Sequence, residues 1–139
     1  MATSAAPAHS LHLTVITPVK AVLDATVDAL VAPAFDGEVG VLPGHAPMLA
    51  LLGTGELRAK ISGGVEKHIA IRGGFLQVNH NKVTILTPES ASPADLNPET
   101  LKAEEQKLNQ QHPTKLEERD ALDVQKTWLK VREKVAGKK

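Results

Sequence analysis

The chain has 139 residues, 16 basic and 16 acidic side chains, and no cysteine. This length suits one ordinary domain, or a small domain with an appendage; the missing cysteines exclude disulfides and thiolate chemistry, and the balanced charge supplies no global field toward nucleic acid or an anionic membrane. Phe35, Phe75 and Trp128 are the only Phe, Tyr or Trp residues, so the core must be aliphatic and there is no stacking platform for single-stranded nucleic acid.

Met1 to Ser10 is rich in Ala, Ser and Pro and has neither the basic nor the apolar segment of a signal peptide; residues 1–10 are expected to form a flexible N-terminus. No apolar run approaches the roughly 20 residues of a membrane-spanning helix, so no direct span is predicted. From Leu11 the pattern has period two. Leu11 to Val15 and Val27 to Val31 read as short strands. Between Glu56 and Ile61 the apolar Leu57, Ala59 and Ile61 face one way and Glu56, Arg58 and Lys60 the other. Ser62-Gly63-Gly64 is a turn, because glycine accepts positive φ without a Cβ clash. Val65 to Arg72 returns with Val65, Ile69 and Ile71 on one face, and Gly73-Gly74 is expected to break the strand. Phe75 to Val78 and Val83 to Leu86 then pair across Asn79-His80-Asn81-Lys82. Many short strands with no helix between them predict an antiparallel β-sandwich over residues 11–91.

The composition changes near Ser92. Glycine vanishes until Gly137, and Glu, Lys, Gln, Leu and Ala dominate. Asn97 followed by Pro98 is a helix start, with Asn as the cap and Pro in the first turn. That helix is predicted to run to about Gln111, before His112-Pro113. Thr114-Lys115-Leu116-Glu117 has the spacing of a capping box for a second helix. Along it Ala121, Val124, Trp128, Val131 and Val135 recur at three and four, which makes one apolar stripe. The predicted fold class is therefore α+β, an N-terminal sandwich followed by an antiparallel two-helix hairpin over residues 92–139. The sequence leaves open whether the hairpin is a detachable arm or is permanently docked.

Motifs for catalysis are sparse. None of the six histidines has metal-ligand spacing. No serine sits in a G-x-S-x-G elbow, and Gly37, Gly40 and Gly44 lack the Gly-Lys-Ser/Thr ending of a phosphate loop. No catalytic residue, cofactor or metal is assigned on this basis. Two readings from other classes stand as alternatives: a β-sandwich ligand-binding module with a helical partner-binding tail, and a cupin-like metal enzyme whose ligands come from distant strands.

The segment Asp36-Gly37-Glu38-Val39-Gly40-Val41-Leu42-Pro43-Gly44-His45-Ala46-Pro47 is too particular for a generic turn. Its glycines permit unusual φ and its prolines fix φ, so it can hold Glu38 and His45 in defined positions. It resembles the Gly-Glu-x-Gly-x-x-Pro-Gly-His-Ala-Pro signature of the epsilon subunits of F-type ATP synthases. Gly53-Thr54-Gly55-Glu56-Leu57, Gly73-Gly74-Phe75-Leu76-Gln77-Val78 and Val83-Thr84-Ile85-Leu86 are similar to further strands of that family, and the resemblance covers Leu11 to Lys134.

The resemblance implies a non-catalytic rotor subunit at the foot of the central stalk. It would be held by the gamma subunit and the c-ring, on the cytoplasmic face of the bacterial inner membrane, and would help couple proton translocation to ATP synthesis. Glu38 and His45 would face the c-ring. The hairpin would be able to reach the alpha/beta catalytic head and hinder ATP hydrolysis. Basic residues outnumber acidic ones from Val124 to Lys139, the reverse of Asp95 to Asp123. Lys126, Lys130, Arg132 and Lys134 are accordingly the expected inhibitory contacts, lying off the apolar stripe and available to an acidic partner. Some relatives bind ATP through Ile/Leu-Asp-x-x-Arg-Ala at the start of the first helix. Here Asn97 replaces the Asp, Thr100 the Arg and Leu101 the Ala. Losing the guanidinium removes a charge-assisted contact, so ATP sensing there is not expected.

Overall fold

The computed structural model describes residues 10–137. The flexible segment expected over residues 1–10 lies outside them except for Ser10, which is buried. Seven strands come first: β1 Leu11–Ile16, β2 Ala21–Ala34, β3 Gly37–Val41, β4 Met48–Ile61, β5 Glu66–Asn79, β6 Lys82–Leu86 and β7 Ser90–Ala91. A 3-10 turn at Pro93–Asp95 leads to helices α1, Pro98–Asn109, and α2, Leu116–Ala136. Strand order is β1-β6-β5-β4-β2-β3. A further pairing of β1 with β2 closes the sheet, and β7 adds to β5. The expected sandwich is thus a flattened barrel. One pair departs from the antiparallel expectation, since β1 runs parallel to β6. A chain end fed between two existing strands must run parallel to one of them when those two run opposite ways.

Three strands are much longer than the short runs seen in the sequence. β2 extends through Pro33, which has no N–H to donate. The sheet accommodates it by a register shift against β4 between Val31 and Ala34. Gly55 lies against the proline ring there: a Cβ at that position would fall 2.5 Å from Pro33 Cβ. β4 and β5 pair without slippage from Met48↔Val78 to Lys60↔Glu66. Gly73-Gly74 therefore does not end the strand. Both glycines have positive φ (74° and 113°), and they invert the pleat. Ile69 and Ile71 face the core before them, Leu76 and Val78 after them. Leu52 and Leu57 record the same change of parity on β4. Val65, assigned to the inner face, lies outside β5 and is exposed, because the Ser62-Gly63-Gly64 turn extends through it. The last hairpin turns tightly through His80 and Asn81, both left-handed (φ 49° and 62°), the conformation that matches the twist of the flanking strands.

The barrel encloses an aliphatic core of Leu11, Leu13, Val15, Val27, Leu30, Leu57, Ile71, Leu76, Val83 and Ile85, among others. The hairpin forms a second, separate core: Leu101 and Leu108 from α1, with Leu122, Trp128, Leu129, Val135 and Ala136 from α2. These close over Ala70 of β5 and Ala91 of β7. The start of α1 is as predicted, with the Asn97 side chain accepting the Glu99 amide at 2.9 Å. The start of α2 is not. Lys115, not Thr114, occupies the cap position and contributes no side-chain bond; Arg119 Nε instead donates to the Pro113 carbonyl at 3.1 Å. The stripe on α2 is also corrected. Ala121 and Val124 are exposed, while Leu122 and Leu129 are buried beside Trp128 and Val135. A helix wedged between α1 and the sheet buries two faces, so a single three-and-four stripe understates what it needs.

Candidate functional site

Two surfaces outside the cores carry chemistry. The first is an uncovered part of the sheet. Beyond the glycine kink, the outward positions nearest to it on β4, β5 and β6 are apolar, and the next ones along β5 and β6, Gln77, Thr84 and Lys82, are polar. Leu51 pairs with Phe75 and Phe75 with Leu86, which makes a cross-strand row. The Phe35 amide donates to the Leu51 carbonyl at 2.9 Å and extends the row. Phe35 is 77% exposed, Leu49 70%, Leu51 49%, Phe75 50% and Leu86 50%. A contiguous apolar row of this kind differs from the single apolar residues scattered over ordinary surfaces. The sequence did carry a signal for it. Met48-Leu49-Ala50-Leu51-Leu52 and Phe75-Leu76 are continuous apolar runs, and strands with such runs have both faces covered.

The signature segment lies at the same end. Glu38 is in β3, opposite Pro33, not in a loop, and Arg58 donates to its carboxylate at 3.3 Å. His45 follows β3 in a turn closed by its amide on the Leu42 carbonyl. Its ring is half-buried, with Nδ1 donating to the Ala46 carbonyl at 2.7 Å. The Gly44 amide donates to Asn81 Oδ1 at 2.8 Å, tying this turn to the β5–β6 hairpin. The structure thus fixes both predicted residues near the β2–β3–β4 edge, and Glu38 already has an internal cation.

The second surface is where α2 meets the outer face of β4 and β5. Glu56, read on the polar face of its strand with Arg58 and Lys60, is buried, with its side chain 4% exposed. The hairpin covers it. Oε2 is 3.1 Å from His68 Nδ1, and the other ring nitrogen of His68 is 3.0 Å from Glu66. Oε1 has Arg58 and Lys134 each at 3.7 Å and no hydrogen bond.

The predicted basic contacts divide. Lys130 is exposed and Lys126 half-exposed. Arg132 is not free as expected: it forks onto Glu104 of α1 at 3.0 and 2.7 Å and lies 5.3 Å over the Trp128 ring. Lys134 faces Glu56. A guanidinium paired in both oxygens and stacked is held far more firmly than an exposed lysine. At the start of α1, Asn97 is occupied as a cap and Thr100 is exposed.

Two carboxyl groups near the hairpin are shifted. Hydrogen bonds from the Ser92 hydroxyl and amide hold Asp95 below the usual carboxylate range. The turn they make is stabilised above that range and loses the contribution as pH falls through the lowered pKa. Slight desolvation of the exposed Glu133, with Glu105 nearby, raises its pKa, which favours the folded hairpin at low pH, a contribution lost as pH rises through the raised pKa. No group of three or more His, Cys, Asp or Glu among the described residues is placed to hold a metal ion, and no described helix is long and apolar enough to cross a membrane.

The chain is thus a closed β-barrel with one bare apolar face and a hairpin folded over another. Its family follows from comparison with known proteins. Residues 10–93 match the family described as ATP synthase, Delta/Epsilon chain, beta-sandwich domain, and the chain belongs to that family. The ATP synthase epsilon chain of Nitratidesulfovibrio vulgaris (strain DP4) is 49% identical over 86 residues, which are 62% of this chain and 63% of that one; the match spans less than two-thirds of that relative. The epsilon chain of Leptospira borgpetersenii is 42% identical over 105 residues, 73% of this chain and 82% of that one. The epsilon chain of Desulfitobacterium hafniense is 37% identical over 131 residues, 93% of this chain and 94% of that one, so the likeness includes the hairpin. Among solved structures, a chain of the Euglena gracilis mitochondrial ATP synthase (OSCP/F1/c-ring) superposes with a TM-score of 0.81 at 23% identity, covering 96% of this chain and 86% of that one. A chain of the Tetrahymena thermophila central stalk/c-ring assembly gives 0.62 at 19% identity, covering 91% and 96%. At such identities the two structures establish the fold.

Proposed function

We propose that this chain is a non-catalytic rotor subunit of an F-type ATP synthase. It links the gamma subunit to the c-ring and so couples proton translocation to ATP synthesis, as a peripheral component on the cytoplasmic face of a bacterial inner membrane. The observation that carries this reading is the bare row Leu51–Phe75–Leu86 beside the signature segment. A rotor subunit needs a flat apolar face to grip a neighbour and a polar edge to meet the ring. Relatives named ATP synthase epsilon chain support it, as do structural neighbours from assemblies described as F1/c-ring and central stalk/c-ring.

In this reading gamma covers the apolar row. Replacing Phe75 with Asp puts a charge at the centre of a buried interface, where fully desolvated aromatic anchors are typically worth about 2 kcal/mol or more. We expect F75D to abolish co-purification with gamma and to leave the melting temperature of the isolated chain nearly unchanged, because the side chain is half-exposed. Retained gamma binding would remove the assignment. Glu38 and His45 are proposed as the ring-facing pair. Replacing either with Ala should move the stability of the isolated chain by no more than about 0.5–1 kcal/mol while lowering proton-coupled ATP synthesis in the assembled complex. A large loss of stability in differential scanning calorimetry would make this segment a structural corner instead.

A second, finer reading is that the hairpin restrains ATP hydrolysis by reaching the alpha/beta head. It is supported by a hairpin core that has no buried residue in common with the barrel core. Of the basic residues assigned to that contact, Arg132 and Lys134 have close internal acidic partners in the docked form, while among the described residues Lys126 and Lys130 form no ion pair within 4 Å. Arg132 and Lys134 would have to exchange their internal partners for external ones.

A further inference from the structure

The signature edge and the hairpin are joined by one line of charges. Glu38 receives Arg58 Nη2 at 3.3 Å. The other terminal nitrogen of Arg58 stands 3.7 Å from Glu56 Oε1, and Lys134 Nζ of α2 also stands 3.7 Å from that oxygen. Oε1 is buried and hydrogen-bonded by neither cation. A buried carboxylate oxygen without a hydrogen bond is costly, and two cations are poised to satisfy it. Glu38 engages the other end of the same guanidinium. Glu38 and Lys134 form no ion pair with each other, yet each bears on the same shared pair of residues.

We infer that Arg58 and Glu56 form a relay between the signature edge and the hairpin, in which Arg58 and Lys134 compete for Glu56. With Glu38 free to hold Arg58, Lys134 is the cation that Glu56 needs, and the hairpin stays docked. When a cationic group on a partner engages Glu38, Arg58 is released to hydrogen-bond Glu56, Lys134 becomes dispensable and the hairpin is freed. By linkage, hairpin release draws Arg58 inward and leaves Glu38 more open to such a group. The inference rests on Glu38 meeting a partner, but the competition itself belongs to the isolated chain and can be tested there.

The test is a double-mutant cycle on the full chain, read as hydrogen–deuterium exchange of the α2 amides, which reports opening of the hairpin. Glu38 and Lys134 are each 59% exposed at the side chain, so E38Q and K134Q both fold. In the wild-type background K134Q should speed α2 exchange by about fivefold, the upper range for a partly exposed pair. In the E38Q background, where Arg58 is free to serve Glu56, the same change should speed it by less than about twofold. An equal or larger factor in the E38Q background overturns the relay, and so does an unchanged exchange rate for K134Q alone. Because neither gamma nor the ring is present, failure of this cycle is distinct from failure of the F75D binding test.

Discussion

Gly74→Ala should lower stability by about 3–4 kcal/mol, or roughly 10–15 °C in melting temperature for a chain of this size. Two costs coincide at this position. Its φ is +113°, where a Cβ is strained whatever the space. The Cβ itself would lie 1.9 Å from the Leu86 carbonyl oxygen and 2.9 Å from the Thr87 Cα. Both are backbone atoms of the β6 end and cannot swing aside as a flexible side chain would. Relief would require β6 to withdraw from β5 where Phe75 pairs with Leu86, which would also spoil the apolar row. Gly63 is the control. Its φ of +107° is nearly the same, but nothing lies within 4 Å of a Cβ there, so Gly63→Ala should cost only about 1 kcal/mol. Thermal denaturation followed by circular dichroism separates them. Equal shifts would mean that backbone conformation alone sets the cost and that the Leu86 carbonyl yields.

Leu129→Asp should detach the hairpin and leave the barrel folded. Leu129 is 2% exposed at the centre of the second core. Truncating such a leucine to alanine costs about 2–5 kcal/mol, and an unpaired carboxylate in its place adds a desolvation penalty. The helices cannot offset that, since most helical stability comes from packing an apolar face, and both α1 and α2 would lose theirs. The barrel core draws on residues from Leu11 to Ile85 and does not share its members with the hairpin core. We therefore expect L129D to lose most of its helical signal while keeping a cooperative β transition, and a chain ending at Ser92 to behave likewise. If both variants lose amide-proton dispersion, the hairpin is required for the barrel and the two are one folding unit. The same variant in the assembled complex shows whether hydrolysis depends on the hairpin.

Lys126, Lys130, Arg132 and Lys134 look alike as a charge pattern. The docked hairpin separates them, because Arg132 reaches Glu104 across the helix pair and Lys134 reaches Glu56 across to β4. Changing all four together would alter docking and any external contact at once. Changes at Lys126 and Lys130 alone are the cleaner probe of a catalytic-head contact.

The sequence by itself determined the class of fold, the order sandwich then hairpin, the turns at Gly63-Gly64 and His80-Asn81, and the Asn97 cap. Each depends on local physics: a two- or 3.6-residue period, a residue that tolerates positive φ, or a side chain that reaches its own helix start. The motifs around Gly37 to Pro47 and Gly73 to Leu86 carried the family as well. What depends on approach of distant segments was decided only by the tertiary structure. The parity switch at Gly73-Gly74 leaves Leu51, Phe75 and Leu86 outside, although nothing in their hydrophobicity distinguishes them from Leu52, Leu76 and Ile85 inside. Glu56 reads as a solvated strand residue until α2 is laid over it. Burial of a polar group is set by what packs on it from elsewhere in the chain, and a local pattern has no record of that.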